Sequence, residues 1–194
     1  EIEKIALDTD PVWRPETLIP LKHRNFQTPL YGMTRFGDVF TDRQLVALGA
    51  FVDTLKSLKD EVESSLTDNV GVRNIDSYIR ALRVYLSFSI SKALTRNCSL
   101  AIWETGMGRL AGALGRQALP MQWTFAETNP FAGAGGDIAG TALSVSEVLD
   151  CLTGTAQGAV VQHNASEQNP FVTGFVLSTD PPYYSNISYA DLSD

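Results

Sequence analysis

Apolar side chains recur at Leu45, Leu48, Val52, Leu55, Leu58, Val62 and Leu66. Steps of three and four place these residues on one stripe of an α-helix. The stripe has a start signal, because Thr41-Asp42-Arg43-Gln44 has the form of a capping box. In such a box the Thr hydroxyl takes a free amide of the first turn and the Gln side chain reaches back to the Thr amide. The stretch "TDNVGVRN" then breaks the period with Gly71 and turn-forming polar residues. A second stripe follows at Ile75, Ile79, Leu82, Leu86, Ile90 and Leu94, with Tyr78, Tyr85 and Phe88 widening its apolar face. Lys56 and Lys59 alternate with Asp60 and Glu63, the pattern of a solvated face. Neither helix can bury its stripe alone, so the two are expected to pack as an antiparallel pair, a scaffold rather than a site.

The flanking segments read differently. Residues 1–40 are rich in proline and aromatics ("DPVWRPETLIP", "TPLYGMTRFGDVF") and show neither helical nor strand period, which suggests an extended arm laid over a core. From Trp103 the chain becomes glycine-rich, with seven of its 15 glycines between Gly106 and Gly136, as in a structured loop region. Helical spacing returns in "DIAGTALSVSEVLDCL" at Ile138, Ala142, Val145 and Leu149. The runs "GAVVQHN" and "FVTGFVLSTD" are short, rich in Val and Phe, and end in polar turns, so buried strands are expected at 158–163 and 171–178. The predicted organisation is an extended arm (1–40), a helical pair (41–103) and an α/β region (104–194).

Composition changes this picture little, and charge narrows it. The chain has 194 residues, 44% of them apolar and 19% charged, ample for a packed core. A formal charge of −7 with no basic stripe argues against broad phosphate binding, which needs clustered Lys and Arg. Cys98 and Cys151 are far apart, without a C-x-x-C pattern or a histidine at ligand spacing, so they read as buried free thiols. No export segment or long apolar run is evident, and the expectation is a cytoplasmic protein without membrane contact.

The candidate chemistry lies near the C-terminus, in "TDPPYYSN" at 179–186. In open α/β sheets, binding groups gather beyond the carboxyl ends of strands, and Asp180 to Tyr184 would follow such an end. An exocyclic amino group on a base is a poor nucleophile because its lone pair is delocalised into the ring. The Asp180 carboxylate and the Pro181 carbonyl can accept both of its N–H bonds and favour a pyramidal nitrogen as a methyl group arrives. Pro182 has no amide hydrogen to compete for the acceptor, and both prolines restrict φ, so the turn is preorganised. Tyr183 can stack on a base swung out of a duplex. A strand followed by Asp-Pro is also an ordinary surface turn.

The stretch "VLSTDPPYYSNISYADLSD" closely resembles motif IV of amino-methyltransferases. Its form is that of a family of large adenine-specific DNA methylases with a zinc ribbon and an N-terminal domain of unknown function. The likeness extends upstream through "YGMTRFGDVFTDRQLVAL", "NCSLAIWE" and "GRQALPMQWTFAETNPF", covering roughly residues 28–194. It implies part of a Rossmann-like methyltransferase sheet that transfers methyl from S-adenosylmethionine to adenine N6 in DNA, in a phage-defence or restriction setting. Asp180, Pro181, Pro182 and Tyr183 would be catalytic, Tyr184 and Asn186 would line the substrate pocket, and Asn164 would stand where an acidic residue usually approaches the cofactor adenine. His163 reads as a turn residue.

The cofactor motif departs from this pattern. "NPFAGAGGD" at Asn129–Asp137 resembles the family's glycine turn only loosely. Between Gly136 and Asp180 there is room for one helix and two strands, too few for the ribose-binding strand and second helix that normally intervene. The loop therefore reads as a separate element, and the chain as a fragment of a longer enzyme, inactive alone, that meets DNA through the parent protein. Strands left without neighbours would pair between chains, which predicts a homodimer. The same acceptor pair would also suit RNA, cytosine N4 or a protein glutamine, and the helical pair could be a non-catalytic interaction module.

Overall fold

A computed structural model describes residues 10–65, 74–114, 117–152, 154, 158–164, 167, 176, 178–181, 189 and 191. The first helix, α1, spans Asp42–Ser65 and starts at the capping box. The Thr41 amide donates to Gln44 Oε1 at 2.9 Å and the Gln44 amide donates to Thr41 Oγ1 at 3.3 Å. Each side chain thus satisfies an amide that the helix leaves without a partner. The second helix, α2, spans Ile75–Leu94, and the Asn74 side chain accepts from the Ser77 amide at 3.0 Å to cap it.

The two helices run antiparallel. Lys59 on α1 donates to Asp76 on α2 at 2.8 Å, and Arg83 donates to the Leu55 and Lys56 carbonyls at 2.8 and 2.6 Å. Contacts therefore climb α2 as they descend α1. The hydrogen bond and the charge of Lys59 hold the Asp76 carboxyl below its usual range, while the same hydrogen bond and the Asp76 charge raise the Lys59 ammonium. Between the helices Leu45 and Ile79 are buried, and Leu55, Leu58, Val62, Leu82 and Leu86 are half-buried. Val52, by contrast, is exposed.

The third helix, α3, spans Ile138–Cys151 and packs on α2. Its half-buried line is Ile138, Ala142, Val145 and Leu149, whereas Leu143 and Val148 face outward. The helical period thus identified the covered face. Among the described residues no helix is long and apolar enough to cross a membrane.

The tightest packing lies outside the helices. Ile19, Phe26, Val39, Cys98, Leu100, Ala101 and Leu119 form one buried cluster. Three of these residues come from the proline-rich arm, so the arm does not lie over a finished core: it supplies part of that core. Two short 3-10 turns, Thr28–Tyr31 and Phe36–Val39, fold the arm back on itself, and the Ile19 amide donates to the Thr34 carbonyl at 2.8 Å. A single parallel bridge joins Phe26 to Leu119: the Gln27 amide donates to the Leu119 carbonyl at 2.9 Å and the Leu119 amide donates to the Asn25 carbonyl at 3.0 Å. Ser99 closes the other side, with its amide and its hydroxyl each donating to the Val39 carbonyl at 2.8 Å. The Ile19, Phe26 and Leu119 amides and the Val39 and Leu119 carbonyls inside this cluster are therefore paired, as burial requires.

The chain mixes helices with a small sheet, which fits an α/β reading only at that coarse level. The sheet seen among the described residues is a hairpin in the glycine-rich region, β1 (Ile102–Glu104) antiparallel to β2 (Arg109–Ala111). The buried strand expected at 158–163 is not present: 158–164 has no strand pairing and lies exposed, with Val160 fully so. An apolar run becomes a strand only when another strand accepts its backbone hydrogen bonds, and the run does not encode that partner. Most of the second expected strand, 171–178, lies outside the described residues, and the edge-pairing argument for a homodimer has no described strand beneath it. The two cysteines also part company. Cys98 is buried, and burial pushes its thiol up from the ordinary range, whereas Cys151 is exposed.

Candidate functional site

Of the turn singled out in the sequence, Asp180 and Pro181 are described, and both are exposed. Pro182, Tyr183, Tyr184 and Asn186 lie outside the described residues. Asn164 is exposed: its Nδ2 donates to Glu167 Oε1 at 3.1 Å, and its carbonyl accepts from the Glu167 amide at 3.0 Å. His163 Nδ1 stands 3.9 Å from the other oxygen of Glu167. His163 and Asn164 thus both face Glu167.

A concave surface lies elsewhere. The end of α2, the β1–β2 hairpin, the loop 126–137 and the first turns of α3 enclose a cleft of about 610 Å³. Local chemistry explains the path of the loop. Asn129 Oδ1 accepts from the Phe131 amide at 3.0 Å, an Asx turn that starts the bend. The Pro130 carbonyl then accepts from the Ile138 amide at 3.0 Å, tying the start of the loop to the start of α3. Gly136 has φ +99°, the left-handed region, and a Cβ there would lie 2.4 Å from Arg96 Cδ. Glycine is needed both for the backbone turn and for the close passage of the arginine stem.

Asp137 closes the loop. It is 5% exposed, and its Oδ1 accepts from the Gly140 amide at 2.7 Å as the cap of α3. Its carbonyl accepts from the Thr141 amide and hydroxyl at 3.1 and 2.7 Å. The positive end of the α3 dipole is therefore already faced by a carboxylate.

The loop is held to α1 and to the turn after α2 by contacts that no local pattern announces. Gln44 Nε2 donates to Glu127 Oε2 at 2.7 Å, and Arg43 forms an ion pair with the same carboxylate. The Thr128 amide donates to the Arg96 carbonyl at 3.4 Å, and the rings of Phe51 and Phe131 meet at 5.6 Å between centroids. Gln44 thus has two tasks, capping α1 with its oxygen and holding the loop with its nitrogen. The capping task is legible from sequence, but nothing in the spacing signals the other.

Five charged side chains line the cleft: Lys92, Arg96, Arg109, Glu127 and Asp137. Arg109 Nε donates to Glu104 at 2.8 Å, Glu127 is paired with Arg43, and Asp137 caps α3. Lys92 and Arg96 make no side-chain ion pair or hydrogen bond among the described residues. Trp103, 57% exposed, stands on the same hairpin face as Leu110, its direct cross-strand partner. The arrangement is a cleft with two uncommitted cations and one exposed aromatic plane. Among the described residues, no three His, Cys, Asp or Glu side chains gather as a metal-binding set. Comparison of the chain with protein-family models, curated proteins and solved structures finds no match.

Proposed function

We propose that the chain is part of an S-adenosylmethionine-dependent DNA adenine-N6 methyltransferase. The observation that carries the reading is the continuous stretch "VLSTDPPYYSNISYADLSD" at 176–194, which joins a D-P-P-Y turn to a tail that resembles that of the zinc-ribbon adenine methylases. The exposure of Asp180 and Pro181 is compatible with it, since both acceptors must be reachable by a base. In this reading the Asp180 carboxylate and the Pro181 carbonyl accept the two N–H bonds of the adenine amino group, Pro182 keeps the turn stiff, and Tyr183 covers the face of the flipped base. Tyr184 and Asn186 border the same pocket. The nitrogen lone pair is drawn out of conjugation as the new bond forms, so the acceptors act mainly on the transition state. S-adenosylmethionine supplies the methyl group, and the loop 129–137 is read as a separate element because too little chain separates it from Asp180.

The test is mass spectrometry of nucleosides and proteins after expression of the full-length gene. N6-methyladenine in DNA is expected, falling about a hundredfold or more with Asp180→Ala, the scale of losing one transition-state hydrogen-bonding group. N4-methylcytosine, methylated RNA or methylglutamine would keep the chemistry but replace the substrate. Unchanged methylation in the Asp180→Ala and Tyr183→Ala variants would remove the turn from catalysis.

A further inference from the structure

We propose that the cleft between α2, the hairpin and α3 binds a small phosphate-bearing nucleotide, with the phosphate between Lys92 and Arg96 and the base on Trp103. Lys92 lies in the last turn of α2 and Arg96 in the turn just beyond its end, so one corner of the fold carries both cations. Both line the cleft, and neither is engaged by a carboxylate among the described residues. The other charges of the lining are committed: Arg109 to Glu104, Glu127 to Arg43 and Gln44, and Asp137 to the α3 cap. Two unpaired cations in a concave surface attract an anion, and a guanidinium fork matches phosphate oxygens.

Three further features narrow the ligand class. A volume of about 610 Å³ lies within the range of small-ligand sites and is large enough for a nucleotide. Trp103 offers an exposed ring at the hairpin, against which a planar base can stack. Thr128 also lines the cleft, and its covered hydroxyl has no hydrogen-bond partner among the described residues. The helix end is not the anion site, because Asp137 already fills it. The formal charge of −7 repels a long polyanion as a whole, while a mononucleotide that reaches the cleft meets mainly its local charge. That balance favours a free nucleotide over a nucleic-acid strand.

The proposal does not rest on methyl transfer, and its test reads binding alone. Calorimetry of the full chain with adenosine 5′-monophosphate is expected to show saturable binding, at least about tenfold tighter than adenosine. Replacing Lys92→Gln and Arg96→Gln together keeps the stems and removes both charges, and should weaken the nucleotide about tenfold or more. Trp103→Leu should weaken it about fivefold or more through lost stacking. Lys56→Gln, which removes an α1 cation paired with Asp53, should leave binding unchanged. If the double variant does not fold, Lys92→Gln alone carries the test, because that side chain is exposed. A short single-stranded oligodeoxynucleotide that binds more tightly than the mononucleotide, and loses affinity in the same variants, would assign the same phosphate-and-base chemistry to a strand. No saturable binding of either ligand, or equal weakening by Lys56→Gln, would overturn the proposal.

Discussion

Gly37 shows how much one absent side chain can decide. A Cβ at this position would lie 2.5 Å from Arg14 Cγ and 2.7 Å from the Pro15 carbonyl oxygen. The arginine stem could swing aside, but the carbonyl cannot, since it accepts the Gly37 amide at 3.0 Å. Gly37→Ala should therefore destabilise the protein by about 1–3 kcal/mol, the usual cost of forcing extra atoms into a packed site. Thermal melting would register the loss. An unchanged melting temperature would mean that the arm relaxes there without cost. Gln44 makes the complementary point: a single side chain serves a local cap and a distant loop through its two different polar atoms.

The three helices differ in how their starts are secured, and α3 is the most exacting. Its cap, Asp137, is buried and also ends the glycine loop that borders the cleft. Asp137→Ala removes the acceptor of the Gly140 amide and should cost about 1–2 kcal/mol, toward the upper end for a helix cap. Asp137→Asn keeps an acceptor oxygen and should lie within a few tenths of a kcal/mol of the wild type. Denaturant unfolding of the pair separates capping from mere occupancy: equal losses in both variants would point to the charge rather than the hydrogen bond. The pairing of α1 with α2 is less demanding, because Arg83 and Lys59 add polar ties to a stripe that is mostly half-buried.

What unites the molecule is the cluster built from the arm, the turn after α2 and the strand-like segment around Leu119. Phe26 is 2% exposed at its centre and belongs to the bridge with Leu119. Truncating it leaves a cavity that neighbours held by backbone hydrogen bonds cannot close. Phe26→Ala should thus cost about 3–5 kcal/mol. Because the cluster joins segments that precede and follow the helical pair, the loss should appear as one shifted transition seen alike by helical and aromatic signals. Two separate transitions would show that the helices and the cluster fold independently.

The helices were legible along the chain because their hydrogen bonds close within four residues. Apolar spacing therefore reports directly on the covered face, as at Ile138, Ala142, Val145 and Leu149, and Thr41 with Gln44 can be recognised as a cap without knowing anything else. The D-P-P-Y turn is an expectation of the same local kind, a set of acceptors and a ring in fixed order, but its Pro182 and Tyr183 lie outside the described residues. The remainder depended on partners far away in sequence. A proline-rich arm showed no period, yet its Ile19, Phe26 and Val39 fill the core. The run at 158–164 looked like a buried strand and lies exposed, since strand formation depends on a neighbour that the run cannot specify. The cleft, too, exists only because folding brings Lys92, Arg96, Trp103 and the loop before α3 to one place, and proximity between distant segments is a property of packing that no short stretch encodes.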